Sequence, residues 1–323
     1  MSSIRKIQLT GGSTYIVSLP SKWVKNNNLT RSSEVKVEES NNRLILYGNS
    51  DVKTEINKRL TLSNKMEPKN LQRVLISLYI SGYDTLTIRS INYIDDNTRE
   101  TIKKFSKLVI GIEIFEEDAK RIVLQNVLNS SSYPIYNSIK RMSLNVESMI
   151  SDVIEGIKSR DRELLKNVII RDDEIDRFQW YIYREVKAKS CEDSNSIFYL
   201  LLSRILERVA DHSVNLCNIW MDTGKIDERT MNKTVENIKT VLDQFKKSMS
   251  LFYSKKYIGL NDIISGKKLI LKDKKELLDL ANPESITVIS FSSEEISRIG
   301  LYSTDIAELA MDMIFSTSNE MEL

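Results

Sequence analysis

Residues 202–217 read LSRILERVADHSVNLC. Apolar side chains recur every three or four positions without glycine or proline, so this stretch predicts an amphipathic helix. Glu207, Asp211 and Asn215 follow one another at intervals of four, which stacks them in one row on the helix surface. The neighbouring His212 is the only histidine of the chain. The polar row lies away from the apolar stripe, and we expect it to face outward or along a groove.

Composition limits the class of protein. The chain has 323 residues, and its 47 basic and 45 acidic side chains leave a formal net charge of +2. A polycationic molecule is therefore excluded, and any nucleic-acid surface must be a local patch. No apolar run reaches the roughly 18 residues of a membrane span, and the two cysteines have no Cys-x-x-Cys spacing. We expect a helix-rich, cytoplasmic protein of several domains, without stable membrane insertion.

A second pair of acids, Asp172 and Asp176, occupies the preceding predicted helix. These carboxylates lie at the edge of an apolar stripe, where partial burial costs free energy unless a cation or a hydrogen-bond donor meets them. In an antiparallel bundle the two acid pairs can converge. Four carboxylates and an amide suit Mg²⁺, Mn²⁺, Ca²⁺ or iron, with His212 as a softer ligand. The alternative is neutralisation by nearby arginines: Arg177, Arg204 and Arg208.

Composition and periodicity divide the chain into four predicted domains. Residues 1–48 form a β-rich module, residues 51–129 a small α/β layer, and residues 134–222 and 227–318 two three-helix bundles. In the α/β layer the first strand is expected at residues 52–56. The remaining elements are expected as follows: strands at 85–89, 112–115 and 121–124, and helices from about residue 68 and at 96–107. A connecting role is favoured for this layer, because it has no glycine-rich phosphate loop.

The two bundles are related by an internal repeat with an offset of 90 residues. Residues 297–307 follow residues 207–217 position by position, and the arginine, the apolar positions and the serine survive. Ser297 and Leu301 stand in place of the two acids. The first bundle is therefore the candidate for a polar site, and the second is expected to be degenerate.

The first 48 residues alternate in a way that predicts short strands around one helix. The strands are expected at 5–9, 14–19, 34–38 and 43–47, and the helix at 21–27. A module this small has little core of its own, so we expect a second copy to complete it. Seven basic residues face three acids between residues 5 and 43. The candidate DNA contacts are Arg5, Lys6, Lys22, Lys25, Arg31 and Arg43. A dimerisation module without DNA binding is the alternative.

The order of motifs in this module resembles the AbrB family. The motifs are the basic first strand, the Gly11-Gly12 turn, the Val17-Ser18-Leu19-Pro20 segment and the helix with Trp23, over most of residues 3–48. The resemblance implies a swapped-hairpin fold in which two chains interleave their strands into one sheet. It also implies that basic side chains of the first strand and neighbouring loops approach DNA.

The acid motifs resemble those of the PhoU family. Residues 206–216 are similar to its signature helix, and residues 172–176 to its partner motif one helix earlier. The resemblance covers residues 135–316 and implies tandem three-helix bundles that bind metal clusters through acids. The candidate metal ligands here are Asp172, Asp176, Glu207, Asp211, His212 and Asn215. The expected cofactor is a divalent or trivalent metal: iron, Zn, Mg or Mn.

These resemblances imply a function in phosphate regulation. Bacterial PhoU proteins regulate phosphate uptake negatively through a transporter and a sensor kinase, and an AbrB-like head on such bundles resembles archaeal phosphate-uptake regulators. The leading hypothesis is a phosphate-responsive, homodimeric transcription regulator that binds operator DNA, with the metal-binding bundle as sensor or as docking module for a transporter or signalling partner. One alternative is a scaffold regulating a phosphate ABC transporter without DNA binding. Another is a metal-dependent enzyme, but no nucleophile–base pair is evident, so we expect no catalytic residues.

Overall fold

A computed structural model describes residues 4–40, 43–48, 55–128, 134–189, 195–224 and 226–317. The chain divides into two compact units, residues 1–56 and 57–323. The predicted fold class is confirmed, because a small β-rich segment precedes an α/β layer and a set of long helices. The finer division into four domains stays a prediction. No helix in the described ranges is long and apolar enough to cross a membrane.

The first unit, called the head here, consists of two hairpins and one short helix. Its elements are β1 (Gln8–Thr10), β2 (Thr14–Ile16), α1 (Ser21–Asn26), β3 (Lys36–Ser40) and β4 (Arg43–Tyr47). β1 pairs with β2 and β3 with β4, both antiparallel, in two separate two-stranded sheets. Gly11 and Gly12 connect β1 to β2 with positive φ angles of 61° and 86°, a backbone conformation that favours glycine.

The head buries no core of its own. None of its residues 4–39 and 43–48 is buried. Large apolar side chains are instead exposed to solvent, among them Leu9 at 59%, Tyr15 at 74% and Leu44 at 69%. A fold with this much exposed apolar area gains little from the hydrophobic effect within one chain.

The second unit begins with a four-stranded sheet covered by two helices. The elements are β5 (Asn57–Leu62), α2 (Pro68–Ile80), β6 (Thr85–Ser90), α3 (Asp96–Leu108), β7 (Ile112–Glu117) and β8 (Arg121–Asn126). The strand order is β5-β6-β8-β7, with β5 parallel to β6 and the other pairs antiparallel. Leu71, Tyr79 and Phe105 of the helices pack on Leu86 and Ile88 of β6 in one hydrophobic cluster.

The expected first strand of this layer was misplaced. Residues 51–54 lie outside the described residues, and Glu55 and Ile56 belong to no strand. The strand is Asn57–Leu62, in which Leu62 is buried and Leu60 packs against the core while Arg59 and Thr61 are exposed. An edge strand buries fewer side chains, so its alternation is easily mistaken for a polar loop.

Seven helices follow in the described residues of the second unit. They are α4 (Ile135–Ser159), α5 (Arg162–Lys189), α6 (Ser196–Met221), α7 (Glu228–Ser254), α8 (Leu260–Ser265), α9 (Lys267–Asp279) and α10 (Ile286–Thr317). Helices α4, α5 and α6 pack on one another, as α7, α9 and α10 do, while α6 packs on α10 and α4 on α7. One hydrophobic cluster runs through both bundles. Asp227 is the N-cap of α7, because its side chain accepts a hydrogen bond from the backbone N–H of Thr230 in the first turn.

The internal repeat is visible where the two bundles meet. At the offset of 90 residues, His212 of α6 corresponds to Tyr302 of α10. Their rings stack with centroids 5.6 Å apart and planes 29° apart. The bundles therefore cross near equivalent positions of their third helices. Trp220 strengthens this seam, because its Nε1 donates to Ser292 Oγ at 3.0 Å in a buried position.

Helix α5 also joins the bundle to the α/β layer. Its buried Arg184 donates from Nη1 to the carbonyl of Tyr79 at 3.1 Å and from Nη2 to the carbonyl of Tyr83 at 2.5 Å. The guanidinium lies over both aromatic rings, 5.0 Å from the Tyr79 centroid and 5.5 Å from that of Tyr83. One charged side chain thus holds the end of α2 against the bundle.

Candidate functional site

Four carboxylates line the groove between α5 and α6. Asp172 and Asp176 lie one turn apart on α5, and Glu207 and Asp211 lie one turn apart on α6. We call these four residues the acid quartet. All four side chains are partly buried, and charges on one helix act on the carboxylates of the other. The row on α6 therefore faces the groove shared with α5, in agreement with one of the two orientations expected from the sequence.

Burial raises the pKa of every member of the quartet, and repulsion between carboxylates adds to this for Asp172, Asp176 and Glu207. Desolvation, followed by repulsion from Asp211 and Glu207, raises the pKa of Asp172 to about 6. Desolvation, followed by repulsion from Asp172 and Glu207, raises the pKa of Asp176 to about 7. Burial is also the largest cause of the raised pKa of Glu207 and of Asp211. Negative charge in this groove is thus held at a cost in free energy.

Nearby arginines neutralise the negative charge of the quartet only in part. Arg204 Nη1 lies 3.8 Å from Glu207 Oε1, and Arg208 Nε lies 3.8 Å from Glu207 Oε2. Both distances are long, and the arginine side chains are 48% and 45% exposed, so solvent screens their attraction. Nε of Arg177 is buried without a hydrogen-bond partner among the described residues. Neutralisation by arginines alone therefore accounts for only part of the quartet's charge.

Two buried polar atoms, one in the quartet and one beside it, lack a hydrogen-bond partner in the described part of the chain. They are Glu207 Oε2 and Nε2 of the buried Gln179. The Gln179 amide nevertheless lies close enough to Glu207 to lower its pKa, against the larger effect of burial. A buried carboxylate oxygen without a donor is costly, and a cation would satisfy it.

The chemistry of the donor set suits a hard cation, whereas the present side-chain positions do not form a complete site. Four carboxylates supply the oxygen ligands that Mg²⁺, Mn²⁺ and ferric or ferrous iron accept. Within the described residues, however, no three His, Cys, Asp or Glu side chains are grouped so that they could hold a metal ion. Binding would require the partly exposed carboxylates to turn toward one another.

The other two sequence-derived ligand candidates lie on the neighbouring seam. His212 Nδ1 is 2.6 Å from Glu295 Oε2, and Asn215 Nδ2 donates to the same oxygen at 3.1 Å. Both side chains thus contact α10, although His212 still lowers the pKa of Asp211. Sequence reasoning missed Glu295, because the repeat aligns it with the apolar Ile205 and gives no signal for an acid there.

The second bundle has no equivalent acid quartet among its described residues. On α9, Lys272 and Glu276 pair with each other at 3.5 Å, and Lys233 of α7 approaches Glu276 to 3.2 Å. Ser297, in the place of Glu207, is buried and donates from Oγ to the carbonyl of Glu294 at 2.8 Å. These positions are occupied by ion pairs and packing, as the degenerate repeat predicts.

The candidate DNA contacts all lie on the exposed surface of the head. Arg5 and Lys6 precede β1, Lys22 and Lys25 lie on α1, and Arg43 opens β4. Arg31, in the loop after α1, is exposed as well. A surface of this kind can contact phosphates, which carry no sequence information, but the base-reading side chains are not identified by exposure.

Family comparisons agree with the motifs. Residues 139–219 match the PhoU domain. This range includes the whole acid quartet. Residues 8–53 match the family described as antidote-toxin recognition MazE, bacterial antitoxin. The expected likeness to PhoU domains and to AbrB-like domains is therefore confirmed for these two parts of the chain.

Curated proteins similar to this chain are named phosphate-specific transport system accessory protein PhoU homologues. One from Clostridium acetobutylicum is 27% identical over 127 residues, which cover 37% of this chain and 58% of the relative. One from Thermotoga maritima is 29% identical over 140 residues, which cover 38% and 60%. The chain thus spans somewhat more than half the length of these relatives.

Two solved structures are similar to the helical part of the chain. PhoU from Pseudomonas aeruginosa is 16% identical, with a TM-score of 0.49 and coverage of 57% of this chain and 96% of that one. The phosphate transport system regulatory protein PhoU from Streptococcus pneumoniae is also 16% identical, with a TM-score of 0.46 and coverage of 58% and 96%.

Proposed function

We propose that this protein is a cytoplasmic, homodimeric regulator of phosphate acquisition. Its head binds DNA, and its PhoU-like bundle binds metal and senses a ligand or docks a partner. The observation that carries the proposal is the acid quartet, four partly buried carboxylates inside the PhoU match, on a chain that also has an AbrB-like head. The names of the curated relatives support the link to phosphate transport.

The head supports the homodimer and the DNA-binding parts of the proposal. Among its described residues, large apolar side chains such as Leu9, Tyr15 and Leu44 are exposed in a single chain, and a second copy supplies the most direct cover. Two heads in one dimer favour a symmetric operator. The test is a mobility-shift assay at two salt concentrations with Arg5→Ala/Lys6→Ala, because phosphate contacts make affinity salt-dependent. Unchanged binding by this variant would remove the proposed DNA face.

The metal part of the proposal rests on the quartet. Asp172, Asp176, Glu207 and Asp211 would hold the cation, whose positive charge would offset their repulsion and tie α5 to α6. His212 and Asn215 remain candidate ligands, but they would have to leave Glu295 to reach the ion. Iron, Zn, Mg and Mn all remain candidates for the cation.

Elemental analysis tests the metal site directly. Purified full-length protein should carry metal that is lost in Glu207→Gln/Asp211→Asn. The matched control is Glu276→Gln/Asp279→Asn in the second bundle, which removes two acids from α9 and should leave the metal content unchanged. Equal metal content in all three proteins would overturn the assignment.

The scaffold remains the second candidate function. The curated relatives are named accessory proteins of a phosphate-specific transport system, which favours docking on a transporter and a regulatory role over a catalytic one. A protein without DNA affinity that still associates with a phosphate ABC transporter would make the scaffold the better description. Hydrolysis of phosphate esters that disappears in Glu207→Ala would instead support an enzyme.

A further inference from the structure

The sheet of the α/β layer has one face without a hydrophobic cluster. Apolar residues of the strands pack toward α2 and α3. The alternate residues of β5, β6 and β8 point to the other side, called the open face here. Its central side chains are Arg59, Thr61, Thr87, Arg89, Arg121 and Gln125. Val123, in the middle of this face, is buried but belongs to neither hydrophobic cluster. The open face is thus mainly polar. It carries three arginines, and two acids of the adjacent strand β7, Glu113 and Glu116, lie on the same face opposite Gln125 and Val123.

The strand register brings these arginines close together. Arg89 pairs directly with Arg121 on β8, and Arg59 pairs with Thr87, two residues before Arg89. With strands about 4.8 Å apart and about 6.6 Å between alternate residues, the Cα atoms of Arg59 and Arg89 are about 8 Å apart. Like charges directly opposite each other in a sheet are destabilising unless a counter-charge meets them.

Only one of the three arginines has its counter-charge in the described part of the chain. Arg121 pairs with Glu116 and, at 3.5 Å, with Asp118. Arg59 and Arg89 are exposed, and neither forms an ion pair with a described acid. The positive charges of Arg59 and Arg89 therefore have no neutralising acid in the described part of the chain, although the two side chains are neighbours on the open face.

The side chains around these guanidinium groups indicate the class of partner. Arginines together with threonine hydroxyls and a glutamine amide are the donors that commonly contact DNA phosphates. The apolar side chain at the centre of this face, Val123, is buried, so it offers no exposed anchor of the kind that a protein interface usually needs. From this charge complementarity we infer that the open face binds the phosphate backbone of duplex DNA, as a second contact surface besides the head.

This inference rests on the proposed DNA-binding function and adds a surface to it. Phosphate contacts carry no sequence information, so the open face would raise affinity and salt dependence for any duplex without reading bases. A generic duplex is therefore a sufficient probe, and the operator need not be known.

The test measures affinity of the full-length protein for a generic duplex at several salt concentrations. Arg59→Ala/Arg89→Ala should weaken binding at low salt and reduce the slope of log affinity against log salt by roughly 1.8 per chain, about 0.9 for each lost phosphate contact. Arg59→Lys/Arg89→Lys keeps both charges and should retain most of the slope. Thermal unfolding of each variant verifies that the fold is intact.

A matched control uses the helical side of the same layer. Lys69→Ala/Arg73→Ala removes two exposed positive charges from α2 and should leave the slope unchanged. An equal loss in this control would overturn the inference, because net charge would then explain the effect. A wild-type slope in Arg59→Ala/Arg89→Ala, with binding still reduced by Arg5→Ala/Lys6→Ala, would overturn the open face alone. Absence of DNA binding by the wild-type protein would overturn both it and the proposed function.

Discussion

At the scale of single residues, the acid quartet stands out because it places four ionisable carboxyl groups in partly buried positions, where their charged form is disfavoured. Residue spacing predicted that the two acids of each pair share one helix face, because positions four apart are neighbours on a helix surface. The sequence could not predict how far the pKa of Asp176 is raised, since this depends on which side chains of α6 cover the carboxyl group. Nor could it predict Glu295, whose contact with His212 depends on how two bundles cross.

The raised pKa values predict a pH dependence of stability in protein freed of metal by a chelator. The folded state keeps protons on Asp172 and Asp176 at pH values where the unfolded chain has lost them, so it binds more protons than the unfolded chain. The free energy of unfolding should therefore fall as pH rises from about 4, the ordinary carboxyl value, to about 7, the pKa of Asp176. Urea unfolding across this range measures the slope.

Asp172→Asn/Asp176→Asn should flatten that dependence. The control is Asp227→Asn at the start of α7, where hydrogen bonds from Thr230 lower the pKa of the carboxyl. Stability from Asp227 is lost only below its ordinary pKa, so this variant should be less stable overall with the same slope between pH 4 and 7. An unchanged slope in the double variant would show that the quartet is not the source.

At the scale of elements, α5 is the helix on which both parts of the second unit depend. Its middle carries half of the quartet, and its end carries Arg184, which bonds to the carbonyls of Tyr79 and Tyr83. The long helices were predictable from periodicity, because their apolar side chains recur every three or four positions. The Arg184 contact was not, because a buried arginine in a charge-rich helix looks like a surface residue in sequence.

Arg184→Ala should lower the free energy of unfolding by about 2–4 kcal/mol, since two carbonyls lose a charged donor in a buried position. Urea denaturation measures the loss. Arg184→Lys should recover little of it, because one ammonium cannot reproduce the planar fork that reaches both carbonyls. Arg162→Ala, at an exposed position of the same helix, serves as control and should stay close to the wild type. Similar stability of both alanine variants would contradict the proposed role of Arg184.

At the scale of the whole molecule, the head differs from the second unit in that none of its residues 4–39 and 43–48 is buried. The sequence predicted its hairpins and its glycine turn, whereas the second copy expected to complete it stays a prediction. The predicted position of strand β5 was wrong, because an edge strand shows only a weak alternation of apolar and polar residues. The unpaired polar atoms of Glu207 and Gln179 could not be predicted either, because residue order does not show which side chains lack a hydrogen-bond partner.

Substitution of an apolar head residue should change the oligomeric state. Leu9→Asp places a charge where the proposed dimer would bury an apolar side chain, so sedimentation should shift toward the monomer. Leu271→Asp on α9 provides the control, because Leu271 is 56% exposed against 59% for Leu9. A monomer would tolerate both changes equally, and identical sedimentation of the two variants would therefore exclude the head as the dimer interface.

The continuity of α5 has a mechanical consequence. Asp176 and Arg184 are eight residues apart on one uninterrupted helix, a distance of about 12 Å along its axis. A helix of this length behaves as a stiff rod, so a tilt of α5 against α6 at the carboxylates becomes a sideways shift at Arg184. The Arg184 guanidinium donates to the carbonyl of Tyr79, in the last turn of α2, and to that of Tyr83, just after it. The α/β layer must therefore move with α5, or these two hydrogen bonds break.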